Sequence, residues 1–286
     1  MIRIEPPDCT FDRSIDDCIS GISANLGEFI ERMLAGRSAL LEAGEIYIRA
    51  MSSNEGLPAI RPFLGEGADV VVASITKADL YRMYEEYFVP KKKRARRIYD
   101  KILASAADRC PFCGGIGRPR NLDHFLPKAY FPQFSVMPLN LVPICRDCNF
   151  DGKGDRYASS ISQVPIQPYL DSDRFFSEQW IFATFYPEAG SGGFLEYFVS
   201  APDSWSDAEK ERALNHFRDF DLAKRFSIKA AEQLNSVLSQ IEKMADVGLD
   251  EAAISSVLLA SISASDMNNW RRCMFQAIVA ARTKNG

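Results

Sequence analysis

No apolar run in this chain of 286 residues approaches the length of about 20 that crosses a bilayer, so a membrane role is not expected. The opening segment, MIRIEPPDCTFDRSIDD, is acidic and has no apolar core of the signal-peptide kind, which argues against secretion. There is no internal repeat and no low-complexity tail. An even disulfide framework is missing too: the chain holds seven cysteines, four of them in Cys-x-x-Cys pairs, while Cys9, Cys18 and Cys273 are scattered. That usage fits a reducing, cytoplasmic setting better than an oxidised one. What is present is ordinary globular material, 47% hydrophobic and 25% charged, enough for one large or two modest domains.

The formal net charge of −4 argues at first against a nucleic-acid partner. Along the chain it is uneven. Residues 91–120 carry ten Lys or Arg against Asp100 and Asp108, a local balance of +8 that leaves −12 for the remainder. Phosphate binding depends on a local patch, so the acidic total does not rule it out. The run Lys91, Lys92, Lys93, Arg94, Arg96 and Arg97 reads either as a solvated helix face or as phosphate contacts leading towards Cys110.

The pattern along the chain is α+β and mainly helical. Apolar residues from Ile15 to Leu34 recur at spacings of three and four, the signature of an amphipathic helix. Gly56, Pro58, Pro62, Gly65 and Gly67 mark a loop, and Thr76 with Asp79 reads as a capping box opening a helix through about Phe88. After Pro90 the basic run starts a fresh helix. A β-like pair is expected around Leu122–Phe125 and Leu139–Pro143, then a short helix near Arg146. Val164–Leu170 reads as a Pro-punctuated linker. Aromatic runs Gln179–Tyr186 and Phe194–Ser200 around the GSGG turn at 190–193 predict a hairpin, whose aromatics around Trp180 would stack bases or build a core. Beyond Ser206, which with Glu209 suggests another capping box, everything reads as helical, with a stripe over Asp221–Ala245 and Ser265 capping the last helix. The expected divisions are a helical region 1–105 ending in the basic helix, a central module 106–160, and a hairpin-plus-helices domain 161–286.

The central segment carries the chemistry. Cys110/Cys113 and Cys145/Cys148 form two knuckles separated by 31 residues. Each can grip one side of a tetrahedral zinc, stapling a stretch too small to bury its own core. Thiolates filling all four positions leave no open site, so this zinc is structural. Between and beside the knuckles stand Asp123-His124, Asn140 and Asn149. A carboxylate, an imidazole and two carboxamides can hold a hard cation and activate a water beside a phosphodiester.

The order Cys-x-x-Cys, Leu122-Asp123-His124, Asn140-Leu141-Val142, Cys145-x-x-Cys148-Asn149, then Lys153 resembles the HNH nucleases, a ββα-metal family. The resemblance covers about 45 of the 286 residues, with Asn149 where the family often has His. It implies a zinc-stapled ββα-metal module, with His124 as general base and Asp123 and Asn149 as ligands of a catalytic Mg²⁺ or Mn²⁺. Asn140 would hold the 125–139 loop and so the angle of His124. Lys153 would meet a phosphate, and Lys128 and Arg146 would touch a nucleic-acid backbone. From the residue types alone, Asp123 can equally orient His124 or cap a turn, and Asn140 can be a turn residue. His216, the only other histidine, sits in the helical context ALNHFRDF and reads as a packing or surface residue.

The expected function is therefore a cytoplasmic, metal-dependent endonuclease acting on DNA, with RNA left open. The alternative is a catalytically silent, zinc-stabilised nucleic-acid-binding module. The wording LDHFLPK…NLVPICRDCN is also similar to HNH subunits of bacterial phage-defence machinery. That likeness implies an antiviral role and a regulatory partner such as an ATPase or sensor, or a second copy of the chain.

Overall fold

The computed structural model describes residues 1–53, 56–188, 190 and 192–283. The chain is α+β and largely helical, and its described strands form three two-stranded antiparallel sheets. Its contacts group into two units interleaved in sequence. One comprises Ile4–Cys110 with Gly117–Asp171, the other Met1–Arg3, Pro111–Ile116 and the chain from Ser172 onward.

The first unit begins with α1 (Phe11–Ile19), α2 (Gly27–Ala35) and α3 (Arg37–Met51). The apolar stripe from Ile15 to Leu34 is thus broken rather than continuous. Ser20, Gly21, Ser23 and Asn25 are weak helix formers, and the chain turns there through one tight 3₁₀ turn at Ala24–Leu26. Gly36 stands at the next corner, where a Cβ would lie 2.5 Å from Ile75 Cδ1 and oblige that side chain to shift. A short ribbon, β1 (Val70–Val72) with β2 (Ile75–Thr76), leads into α4 (Lys77–Arg82). The Thr76/Asp79 capping box opens α4, and wider helical turns carry it through Met83–Phe88. Lys91–Arg94 form turns, and α5 (Arg96–Ser105) starts only after them. Then come β3 (Asn121–His124) and β4 (Leu141–Ile144), paired with His124 opposite Leu141 and Asp123 opposite Val142. Leu122 and Leu141 sit in the same buried cluster as Ile15, Met33, Met83 and Ile102, so the helices form the floor under this ribbon.

Val164–Leu170 is not a solvated linker. Ile166, Gln167 and Tyr169 are buried. A Pro-punctuated stretch has few internal hydrogen bonds of its own, and here side chains satisfy the backbone instead. Gln167 Oε1 accepts from the N–H groups of Tyr169 (2.7 Å) and Leu170 (2.8 Å), and its Nε2 donates to the Leu139 carbonyl at 3.1 Å. Tyr169 donates its hydroxyl to the Leu141 carbonyl on β4, at 2.8 Å.

The second unit has α6 (Arg174–Ser177), a hairpin of β5 (Ile181–Tyr186) and β6 (Phe194–Val199), then α7 (Asp207–Asp219), α8 (Leu222–Asp246), α9 (Glu251–Ala260) and α10 (Trp270–Thr283). Within the GSGG turn, Ser191 lies outside the described residues. The Ser206/Glu209 capping box is formed. Ser265 does not cap the last helix: it bonds back to Ile262 in a turn, and Asn269 Oδ1 accepts from Arg271 N–H at 2.9 Å where α10 begins. Trp180 belongs to the core, fully buried with its indole N–H donating to the Phe175 carbonyl. Buried Asn268 closes this core. Its Oδ1 accepts from Trp180 and Ile181 (2.8 and 3.0 Å), and its Nδ2 donates to Phe175 and Glu178 carbonyls (3.2 and 3.0 Å). No described helix is long and apolar enough to cross a membrane.

Candidate functional site

The four knuckle cysteines converge. Their sulfurs lie within 4.8 Å of one another and all four side chains are buried. A tetrahedral zinc with Zn–S near about 2.3 Å sets its sulfurs about 3.8 Å apart, inside the 4.8 Å that these four span, so the donor set fits that ion and could hold it. The loop after Cys113 turns tightly because Gly114 and Gly115 take φ of 64° and 86°. Cys110 N–H donates to the Gly117 carbonyl at 3.0 Å, closing that loop. Cys145 N–H points at Cys110 Sγ (3.4 Å), a donor of the kind that stabilises thiolate charge. The tip of the first knuckle is pinned by His216, whose Nε2 donates to the Phe112 carbonyl at 2.9 Å. Burial pushes the pKa of this histidine down to about 3, so it is a neutral packing group.

His124 ends β3 and is buried. Its Nε2 lies 2.9 Å from the carbonyl of Ser135. A carbonyl only accepts, so Nε2 carries the proton and Nδ1 keeps its lone pair. Ser135 is itself fixed, its hydroxyl donating to the Leu80 carbonyl at 3.1 Å. The Tyr84 ring meets the imidazole edge-on, with centroids 4.5 Å apart. Burial drives the His124 pKa down to about 3; the Ser135 carbonyl opposes this, while Lys128 and Lys153 add to it. The ring is therefore neutral at neutral pH.

Asp123 precedes it on the more open side of the strand. Its Oδ2 is buried and accepts no directed hydrogen bond among the described residues. The Lys153 ammonium lies 2.9 Å from that oxygen, a charge contact off the axis of a directed bond. Lys153 is thus not a surface residue; it closes the turns Cys148–Lys153 by packing inward. Asn149 sits on those turns, half-buried, its N–H donating to Cys145 O (3.0 Å) and its carbonyl accepting from Gly154 N–H (2.9 Å).

Asn140, 0% exposed, spans the long loop. Its Oδ1 accepts from Leu126 N–H at 2.7 Å, and its Nδ2 donates to the carbonyls of Leu126 (3.1 Å) and Phe134 (3.3 Å). Its own carbonyl takes the Phe125 N–H at 2.7 Å. Both ends of the segment that presents Ser135 to His124 are tied in this way.

The basic run is largely engaged within the protein. Asp17, 2% exposed on α1, receives Arg94 (2.9 Å), Arg97 (2.9 Å) and Arg13 (3.2 Å). Lys93 donates to the Gly21 carbonyl at 2.8 Å, and Arg96 pairs with Asp100. Lys91 and Lys92 are exposed. Lys128 pairs with Glu85 at 2.7 Å and lies over the Tyr81 ring, while Arg146 is exposed beside Phe150. Ser135, Tyr84, Gln167 and the Asp17 hub have no sequence signature. The first acts through a backbone carbonyl that every residue type possesses, and the others only through distant packing.

The chain is 40% identical over 225 residues to Protein ea31 of Escherichia phage lambda, an alignment taking in 74% of this chain and 75% of that protein. The chain belongs to the ea31 family. The relative's name specifies no activity or ligand. No family model and no solved structure matches this ea31-family chain.

Proposed function

We propose that this chain is a divalent-metal-dependent endonuclease of the HNH, ββα-metal type, hydrolysing phosphodiester bonds in DNA. The observation that carries the reading is the pairing of His124, neutral and with Nδ1 left as acceptor, with an adjacent Asp123 whose buried Oδ2 meets the Lys153 ammonium but accepts no directed hydrogen bond among the described residues. The antiparallel pair β3–β4 and the turns bearing Asn149 follow in the order that such a module requires.

A carboxylate and a carboxamide oxygen suit a hard ion, so Asp123 and Asn149 are the residues that would hold Mg²⁺ or Mn²⁺. When bound, that ion supplies positive charge for the phosphate. His124 takes the proton of the attacking water at Nδ1, and the Ser135 carbonyl, already bonded to Nε2–H, steadies the imidazolium that results. An anionic phosphate entering beside the ring raises its proton affinity, opposing the effect of burial. Asn140 keeps the loop, and with it the ring, in place. The four-cysteine zinc takes no part in the reaction; exposed Lys91, Lys92 and Arg146 meet the backbone of the nucleic acid.

Supercoiled plasmid with Mg²⁺ or Mn²⁺ tests this. The parent should nick it, and His124→Ala should be slower by about 10²- to 10⁴-fold. A parent inert with both ions, or a His124→Ala protein as fast as the parent, would refute the proposal and leave a zinc-stabilised binding module.

A further inference from the structure

The ammonium of Lys153 is in an unusual place. Its side chain is 3% exposed, against 20% for that of Asp123, 2.9 Å away. A buried lysine is retained only against an opposite charge, because an unpaired ion in the interior costs several kcal/mol. Asp123 is that charge. Among the described residues, the only hydrogen bond of the Lys153 side chain is a long one, 3.5 Å to the Gly154 carbonyl. On the other side, Asp123 Oδ2 accepts no directed hydrogen bond among the described residues. The pair is thus a charge contact, and a carboxylate in such a contact can exchange one cation for another.

We propose that Lys153 is the resident counter-ion of Asp123, and that it makes loading of the divalent ion depend on nucleic acid. The inference rests on the metal-dependent reading of Asp123. Before loading, Lys153 and Asp123 sum to zero, and the ammonium lies against the carboxylate. A divalent ion arriving on Asp123 and Asn149 brings the local sum to +2 with an ammonium already against the shared carboxylate. Coulomb repulsion at such range in a partly buried site opposes entry strongly. A phosphodiester supplies the missing negative charge. Metal and nucleic acid then favour each other's binding, and the coupling is reciprocal. The protein alone at low metal would rest with Lys153 on Asp123, which restrains cutting until substrate is in place.

The test reads metal binding, not activity. Zinc-replete proteins in a His124→Ala background, which prevents turnover, are titrated with Mn²⁺ and free ion is followed by electron paramagnetic resonance. Titrations are run with and without a short DNA duplex. Lys153→Met should bind Mn²⁺ about tenfold or more tighter than the lysine form when no DNA is present. Lys153→Gln, which keeps a polar tip, should do the same, and Lys153→Arg should behave as lysine. DNA should tighten Mn²⁺ binding in the lysine form and much less in the neutral variants. Equal or weaker binding by both neutral variants, with Asp123→Asn abolishing it, would overturn the role of Lys153 and leave the metal reading standing. Mn²⁺ binding unaffected by Asp123→Asn would overturn both.

Discussion

Asn140→Ala removes a side chain that makes three hydrogen bonds from a position with no solvent exposure. The truncation leaves Leu126 N–H and the Leu126 carbonyl without their partner, while the Phe134 carbonyl loses one bond and keeps Met137 N–H at 3.1 Å. Three bonds at about 1 kcal/mol each set the lower bound, and orphaned buried groups at about 1–3 kcal/mol each raise it, so about 3–5 kcal/mol is expected. That is a large share of the roughly 5–15 kcal/mol by which a domain is stable. Asn140→Asp sharpens the test. It keeps the acceptor for Leu126 N–H but turns a carboxylate oxygen towards two carbonyls, where the amide had donated. At neutral pH it should be at least as damaging as alanine. The gap should narrow in mild acid, when the carboxyl gains a proton to donate. Urea unfolding followed by far-ultraviolet circular dichroism is the assay, since all three tryptophans lie beyond Ser172 and report the other unit. A loss below about 1 kcal/mol for alanine, or an aspartate milder than alanine at pH 7, would refute the reasoning.

Zinc should be recovered at about one ion per chain on denaturation with a chromophoric chelator, and Cys113→Ser or Cys148→Ser should abolish it and lower the melting temperature; chelation without any change in melting would contradict a structural role. Asp79 is pushed up by burial but held below its ordinary value of 3.8 by the Arg32 fork and the Thr76 cap. A depressed carboxylate contributes stability that is present above the unfolded pKa and lost as pH falls through the folded one. The parent should therefore weaken more steeply below about pH 4 than Asp79→Asn, and parallel acid limbs would count against this. Among the thiols, half-buried Cys9 should alkylate first, while burial pushes Cys273 up to about 12 and raises Cys18 as well, protecting both until unfolding; peptide mass mapping showing Cys18 modified as fast as Cys9 would disprove it.

Much of the candidate site is local in sequence, and that is why it could be read. Each knuckle places two sulfurs within four residues, and a capping box such as Thr76/Asp79 or Ser206/Glu209 is complete within one helical turn. Other features misled for a physical reason. Prolines in Val164–Leu170 suggested a linker, whereas Gln167 and Tyr169 tie it to Leu139 and to β4. The stripe from Ile15 to Leu34 kept its spacing across a break, because two short helices facing one core need the same apolar face as one long helix. Lys153 read as a phosphate contact, and Arg94 and Arg97 as a solvated face or phosphate contacts, since composition reveals a count of charges and not their partners.

Sequence alone determined the metal-type cysteine pairs, the order of Asp123, His124, Asn140 and Asn149 between and after them, and the helical and hairpin character of the flanks. These follow from spacings of a few residues, which fix local geometry whatever the rest of the chain does. Tertiary structure alone decided that the four sulfurs meet within 4.8 Å, that Ser135 sets the tautomer of His124, and that Lys153 lies against Asp123. Those depend on contacts between segments far apart in the chain, on backbone groups common to every residue, and on burial that only packing confers.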